Sequence, residues 1–143
     1  MFTNVEYYLD RIIEDLQTPI SALLPNVQFV TDDPVNIVYT DLPIISVMPI
    51  TEEFIYDDSS NSSDLKELKI SILLRMAGTP ASSLCSPIIN QIVSTLRKDR
   101  MLGTSDTVYV EFQGISWASD RVAEGKLCGA SLDILVRYSL PLE

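Results

Sequence analysis

The sequence predicts an α+β fold in a single domain, a mostly antiparallel sheet with two helices packed on one face. Three observations carry this reading. Segments whose apolar residues recur with period 2 outnumber those with helical spacing. The strand-like segments follow one another in hairpin order, so strands adjacent in sequence are expected to pair antiparallel. And 143 residues of 46% apolar composition suffice for one domain with a real core. The chain contains no internal repeat and no sign of a second domain.

Residues 4–17 have helical spacing. Val5, Leu9, Ile12, Ile13 and Leu16 lie on one face and Glu6, Asp10, Arg11, Glu14 and Asp15 on the other. Thr3 or Asn4 is the expected N-cap, and acids in the first turns suit the helix dipole. Thr18-Pro19 either ends this helix or restarts it as a short piece through Ile20, Leu23 and Leu24, stopped before Pro25. Asn26–Thr31 is a short strand, Asp32-Asp33-Pro34 a turn, and Val35–Thr40 a second extended segment. Pro43–Met48 is apolar on both faces, as in a strand covered on both sides, and Pro49 marks its end or a sheet edge.

Residues 51–64 are the least core-like part. They hold Glu52, Glu53, Asp57, Asp58 and a serine-rich polar run, which reads as a flexible loop or hairpin tip. Ile50, Phe54 and Tyr56 extend its first half. Leu65–Gly103 is the expected nucleus. Ile70, Ile72, Leu74 and Met76 alternate with Lys69, Ser71, Leu73 and Arg75, giving a strand with one side on a core. Thr79-Pro80 and Ser86-Pro87 both read as helix starts, a capping hydroxyl followed by a proline. Ile88, Ile89, Ile92, Val93 and Leu96 then recur at helical intervals, with Arg97, Lys98 and Arg100 in the last turn and Gly103 as terminator.

Val108, Val110 and Phe112 alternate with Tyr109, Glu111 and Gln113 in the next strand, and Gly114 marks a bulge or bend. Ile115 and Trp117 continue the apolar register beyond it. Residues 119–126 are a polar connection. In the closing strand Leu132, Ile134, Val136, Tyr138 and Leu140 face one way, and Ser131, Asp133, Leu135, Arg137 and Ser139 the other.

Composition narrows the function. The net charge is −10, and residues 1–64 carry 12 acids and one base while residues 65–143 carry 8 acids and 9 bases, so the halves net −11 and +1. Such a chain is poorly suited to gripping nucleic acid, where affinity comes from cations on phosphates. It suits a solvated acidic surface, or a path that DNA passes without sticking. No apolar run reaches the ~18 residues needed to span a bilayer, and the acidic N-terminus does not read as a secretory signal. The expectation is a protein that works in the cytoplasm or in something assembled there, with no membrane role. Without a secretory context, Cys85 and Cys128 are expected to be free and buried rather than a disulfide or a metal site.

The sequence predicts no enzyme. There is no histidine to serve as the base of a nucleophile triad. There is no phosphate loop and no glycine-rich dinucleotide motif. The pairs Glu52-Glu53, Asp57-Asp58 and Asp32-Asp33 could in principle hold a divalent cation. Adjacent residues of a strand point to opposite faces, however, so Glu52 and Glu53 would diverge. No catalytic residue, metal ligand or cofactor is assigned. Tyr7, Tyr8 and Trp117 serve either as interface anchors or as half-buried packing residues.

Several segments taken in order resemble the tail terminator and tail completion proteins of long-tailed bacteriophages. They are the N-terminal helix ending in Leu23-Leu24-Pro25, the strand Asp41 to Val47, the alternating strand Leu68 to Met76 and the helix Ile88 to Leu96 with its Asp99 and Leu102-Gly103 exit. The strand Val108 to Phe112 and the closing strand Leu132 to Tyr138 complete the set. The likeness spans nearly the whole chain and rests on order and spacing. Pro87 and the serine-rich run at 59–63 depart from the pattern.

The resemblance implies a non-catalytic virion protein, assembled in the host cytoplasm. It would form a six-membered ring on the end of the tail tube, stop tube growth, offer a docking surface to the neck or head-completion protein, and leave a channel for DNA. Its partners would be other copies of itself, the tail tube protein and the neck or head-completion protein. Glu52, Glu53, Phe54, Tyr56, Asp57 and Asp58 would then be candidate interface residues, on a loop able to reach across a subunit boundary. A neck or head-completion connector of the same particle is the alternative closest to this. A monomeric binding module using the Ile115–Trp117 region is the alternative from another class.

Overall fold

The computed structural model describes residues 5–31, 43–55, 63–78, 81–103, 109–122 and 125–141. The elements are α1 (Val5–Leu23), β1 (Gln28–Val30), β2 (Ile44–Ile55), β3 (Ser63–Ala77), α2 (Ala81–Leu84), α3 (Ser86–Arg97), β4 (Tyr109–Val122) and β5 (Gly125–Pro141). The strands form one sheet in the order β1-β2-β3-β5-β4. The fold is α+β, and the apolar faces of α1 and α3 close over one side of the sheet.

Helix α1 runs unbroken through Pro19 to Leu23 rather than ending near residue 17. A proline in a helix interior removes one N–H donor and costs ~3 kcal/mol. Here the turn beyond it is held by Ile20, which is fully buried, and by the Leu24 amide donating to the Ile20 carbonyl at 2.8 Å. The helices number three among the described residues, not two, because a single turn, α2, precedes α3. That turn explains why the expected Ser86 cap is not used. The Cys85 amide donates to the Ala81 carbonyl at 2.8 Å and the Ile89 amide to the Cys85 carbonyl at 2.9 Å, so the backbone is already helical where α3 begins. Cys85 occupies the cap position with α-helical dihedrals and no side-chain cap bond, and Ser86-Pro87 are the first helical residues.

Helix α3 ends at Arg97, before the residues read as its terminator. The chain then turns through 98–103, where Leu102 and Gly103 have φ of 49° and 71°. The Asp99 carboxylate accepts from the Gly103 amide at 2.9 Å, and the left-handed backbone at Leu102 is held by complete burial of its side chain.

Two pairings differ from the expected succession of antiparallel neighbours. Strand β1 lies parallel to β2, with Gln28 opposite Ile44. Some dozen residues separate them in sequence, long enough for the crossover that a parallel neighbour needs. Strands β3 and β4 are not neighbours. The α2–α3 crossover carries the chain past one strand width, and β5 returns to fill the gap, pairing antiparallel with both.

The segment expected as a loop over 51–64 is strand at both ends. β2 continues to Ile55 and β3 begins at Ser63, and their register runs from Ile44 opposite Arg75 to Ile55 opposite Leu65. Pro49 does not end β2; it sits beside a bulge at which the register shifts between Pro49 and Thr51. The polar connection expected over 119–126 is likewise shorter, since β4 reaches Val122 and β5 starts at Gly125. Thr3, Asn4, residues 32–40, Tyr56, Asp57, Asp58, Thr79-Pro80 and Val108, for which the sequence also carries expectations, lie outside the described residues.

The core joins Tyr8, Ile12, Leu16 and Ile20 of α1 to Ile89, Ile92 and Leu96 of α3 across Ile45, Val47, Ile70, Ile72, Leu74, Leu132, Ile134 and Val136 of the sheet. Each such side chain contributes about 1.5–3 kcal/mol by leaving water. Cys85 and Cys128 are buried in this layer as free thiols, with their sulfurs 3.6 Å apart.

Candidate assembly surfaces

The residues singled out on the β2–β3 stem separate in space. The bulge after Pro49 leaves Ile50 without a register partner and reverses the alternation of β2. Glu52 and Phe54 therefore share the helix-bearing face with Leu68 and Lys66, while Glu53 lies on the opposite, helix-free face beside Glu67. The expected divergence of Glu52 and Glu53 is what the strand geometry produces.

Glu52 is tied into the fold. Its Oε1 accepts from Lys66 Nζ at 2.7 Å and from the Tyr138 hydroxyl at 2.8 Å. The Lys66 bond and then the Tyr138 bond hold its carboxyl below the usual carboxylate range against the opposing effect of burial. Burial and the adjacent Glu52 carboxylate raise the Tyr138 hydroxyl. Phe54 is 57% exposed, and Lys66 Nζ lies 5.0 Å from its ring centroid. Lys66 and Tyr138, which hold this cluster together, are missed by sequence reasoning. Tyr138 has the alternation of a core-facing residue, but the bulge that brings Glu52 to its side carries no glycine to announce it.

The helix-free face is shallowly dished and mixes apolar with polar side chains. One concavity of about 370 Å³ is lined by Leu73, Arg75, Ser116, Leu127, Gly129 and Ser131, among others. A second of about 300 Å³ lies between Ile50, Glu53, Lys69 and Leu135. Arg137 crosses this face, with its Nε 3.0 Å from Glu67 and a terminal nitrogen 3.1 Å from Glu111. Among the described residues no three acidic or cysteine side chains gather to hold a metal ion.

Edge strand β4 carries the other apolar exposure. A bulge between Phe112 and Gly114, at the glycine that marks it in the sequence, brings Ile115 and Trp117 onto the helix-bearing face opposite Leu132 and Ala130. They stand 39% and 43% exposed. Helix α2 packs on β4 and adds the exposed Leu84. By contrast Tyr8 is fully buried, and the Tyr7 hydroxyl donates to the Leu102 carbonyl at 3.1 Å, so this tyrosine pair is packing rather than surface.

No family model and no curated protein matches the sequence. The fold does have a counterpart among solved structures. It is similar to a chain of a structure described as the virion of native gene transfer agent (GTA) particle, at a TM-score of 0.56 and 10% identity. The match covers 92% of this chain and 94% of that chain. Nearly the whole of each chain takes part, so the shared feature is the complete fold of both. Among the described residues no helix is long and apolar enough to cross a membrane.

Proposed function

We propose that this chain is a structural, non-enzymatic virion protein that assembles as a ring on the end of a phage tail tube. The ring stops tube growth and presents a docking surface to the neck or head-completion protein. The observation that carries the reading is the near end-to-end fold similarity to a virion chain, 92% of one and 94% of the other. The sequence resemblance to tail terminators points the same way. The net charge of −10 supports a ring through which DNA passes without adhering.

Native mass spectrometry of the purified protein, alone and with purified tail tubes, tests this. A closed ring that binds tube ends and halts their elongation is the expected result. A chain that remains monomeric at every concentration and ignores tube ends would overturn it. A neck or head-completion connector is the second reading, because the same similarity to a virion chain supports it. It predicts an oligomer that binds the head side of the particle and leaves tube growth unaffected.

A further inference from the structure

Each flank of the sheet carries a stretch free of charge, although β4 has Glu111 before its stretch and Asp120 and Arg121 after it. At one flank β4 is an edge strand, and its segment 112–119 contains no charged residue. The helical segment beside it, residues 81–96, contains none either. At the other flank β1 is the edge among the described residues, and the run from Leu16 to Thr31 that forms it and the end of α1 is also free of charge. Leu23 stands 48% exposed there.

Exposed strand edges are normally protected by charges, prolines or bulges, since their unpaired N–H and C=O groups recruit other chains. This protein uses such protection elsewhere. The part of β2 beyond β1 has Pro49, a bulge, Glu52 and Glu53. Strand β4 has one bulge and then Ile115, Ser116, Trp117 and Ala118, an uncharged edge with two large apolar side chains beside it.

We infer that the β4 edge, with Ile115, Trp117 and Leu84, is the surface on which a second copy of this chain docks, and that the copy meets it with its opposite flank, β1 and the end of α1. A second copy is the partner the charges favour. Two molecules of net charge −10 repel, and they approach at least cost where both surfaces are neutral. The two flanks differ, so the contact is head-to-tail, and a head-to-tail contact whose rotation closes gives a ring. The strand directions agree. β4 runs opposite to β1 within the sheet, so rotation about an axis along the strands sets β4 of one copy antiparallel to β1 of the next. This inference rests on the ring reading and names its subunit contact.

Trp117 is the chain's one tryptophan, so the wild-type protein carries its own reporter. On raising the concentration through assembly, its emission is expected to shift to the blue and acrylamide quenching to fall. Trp117→Lys and Leu23→Lys, both at exposed positions, are each expected to keep the wild-type circular dichroism and to weaken assembly by at least about tenfold. Mixed together, the two variants should form a dimer and stop there, because only one intact pair of flanks remains. Wild-type assembly with unchanged Trp117 emission and quenching, or rings formed undiminished by Trp117→Lys, would overturn the inference and leave the ring reading standing. Assembly abolished by Trp117→Lys but untouched by Leu23→Lys would overturn the head-to-tail pairing. A wild-type chain that never assembles, with or without tail tubes, would overturn the ring reading itself.

Discussion

Asp99 accepts the Nε hydrogen of Arg11 at 2.9 Å, bridging 88 residues of sequence, and thereby fastens the turn after α3 to the middle of α1. The same carboxylate takes the Gly103 amide, and the Arg11 guanidinium lies over Gly103 so closely that a Cβ there would stand 2.9 Å from its Cζ. Removing the carboxylate in Asp99→Ala loses both bonds. Because Arg11 is one-third exposed, the expected cost is only about 1–2 kcal/mol. A urea titration of the two proteins at pH 7.5 measures it.

Asp15 stands beside this pair and behaves in the opposite sense. Burial, and then the neighbouring Asp99 carboxylate, push it up to about 7, against the opposing pull of Arg11; Glu14 adds to the rise. Its Oδ2 is buried with no hydrogen-bond partner. A carboxyl raised in the folded state keeps a proton that the unfolded chain releases from about pH 4 upward. Stability should therefore fall as pH rises from about 4 to about 7, by about 1–3 kcal/mol, and level off above. Asp99 is lowered, so its contribution is present above the ordinary carboxylate range and lost only in stronger acid. Asp15→Asn should flatten the slope between pH 4 and 7 and raise the unfolding midpoint at pH 7.5. Thermal melts across that range read both effects.

Tyr138 and Lys66 share one oxygen of Glu52. Tyr138→Phe removes one donor and leaves the carboxylate partnered by Lys66, for an expected loss of about 0.5–1.5 kcal/mol. Glu52→Ala strands the hydroxyl of a nearly buried tyrosine and should cost more than Tyr138→Phe. If chemical denaturation ranks the two variants in the reverse order, the acceptor role assigned to Glu52 is wrong.

The thiols of Cys85 and Cys128 should be inert in the folded protein. Burial, and then the contact with Cys128, push Cys85 up to about 12, so almost no thiolate exists at neutral pH. Ellman's reagent should find close to no reactive thiol in native protein and two in guanidinium. Rapid reaction without denaturant would show that α2 and α3 lift away from β5 more readily than their packing implies.

Much of this fold is legible from side-chain alternation, because burial on one face imposes it directly. Ile70, Ile72 and Leu74, and Leu132, Ile134 and Val136, alternate in the sequence and are buried in the core. Gly114 announces its bulge because a glycine in a strand has few other uses. The bulge at Pro49 is harder to read, since a proline signals an end as readily as an irregularity, and missing it places Glu52 on the wrong face. The position of β5 between β3 and β4 is not written in any local pattern. It follows from a crossover, a property of three elements at once. Among the candidate interface residues on the β2–β3 stem, nothing in the local sequence tells Glu52, bonded inward, from Glu53, which faces solvent.

The placement of β5 also sets a timetable. The ribosome makes β4 before β5, yet among the described residues β5 is the strand that β4 pairs with. Until that later strand emerges and slots in, the nascent chain holds an unattached β4 and a sheet lacking its middle. During that interval the unpaired N–H and C=O groups of β3 and β4 lie open to wrong partners, and pairing with β5 is what closes them.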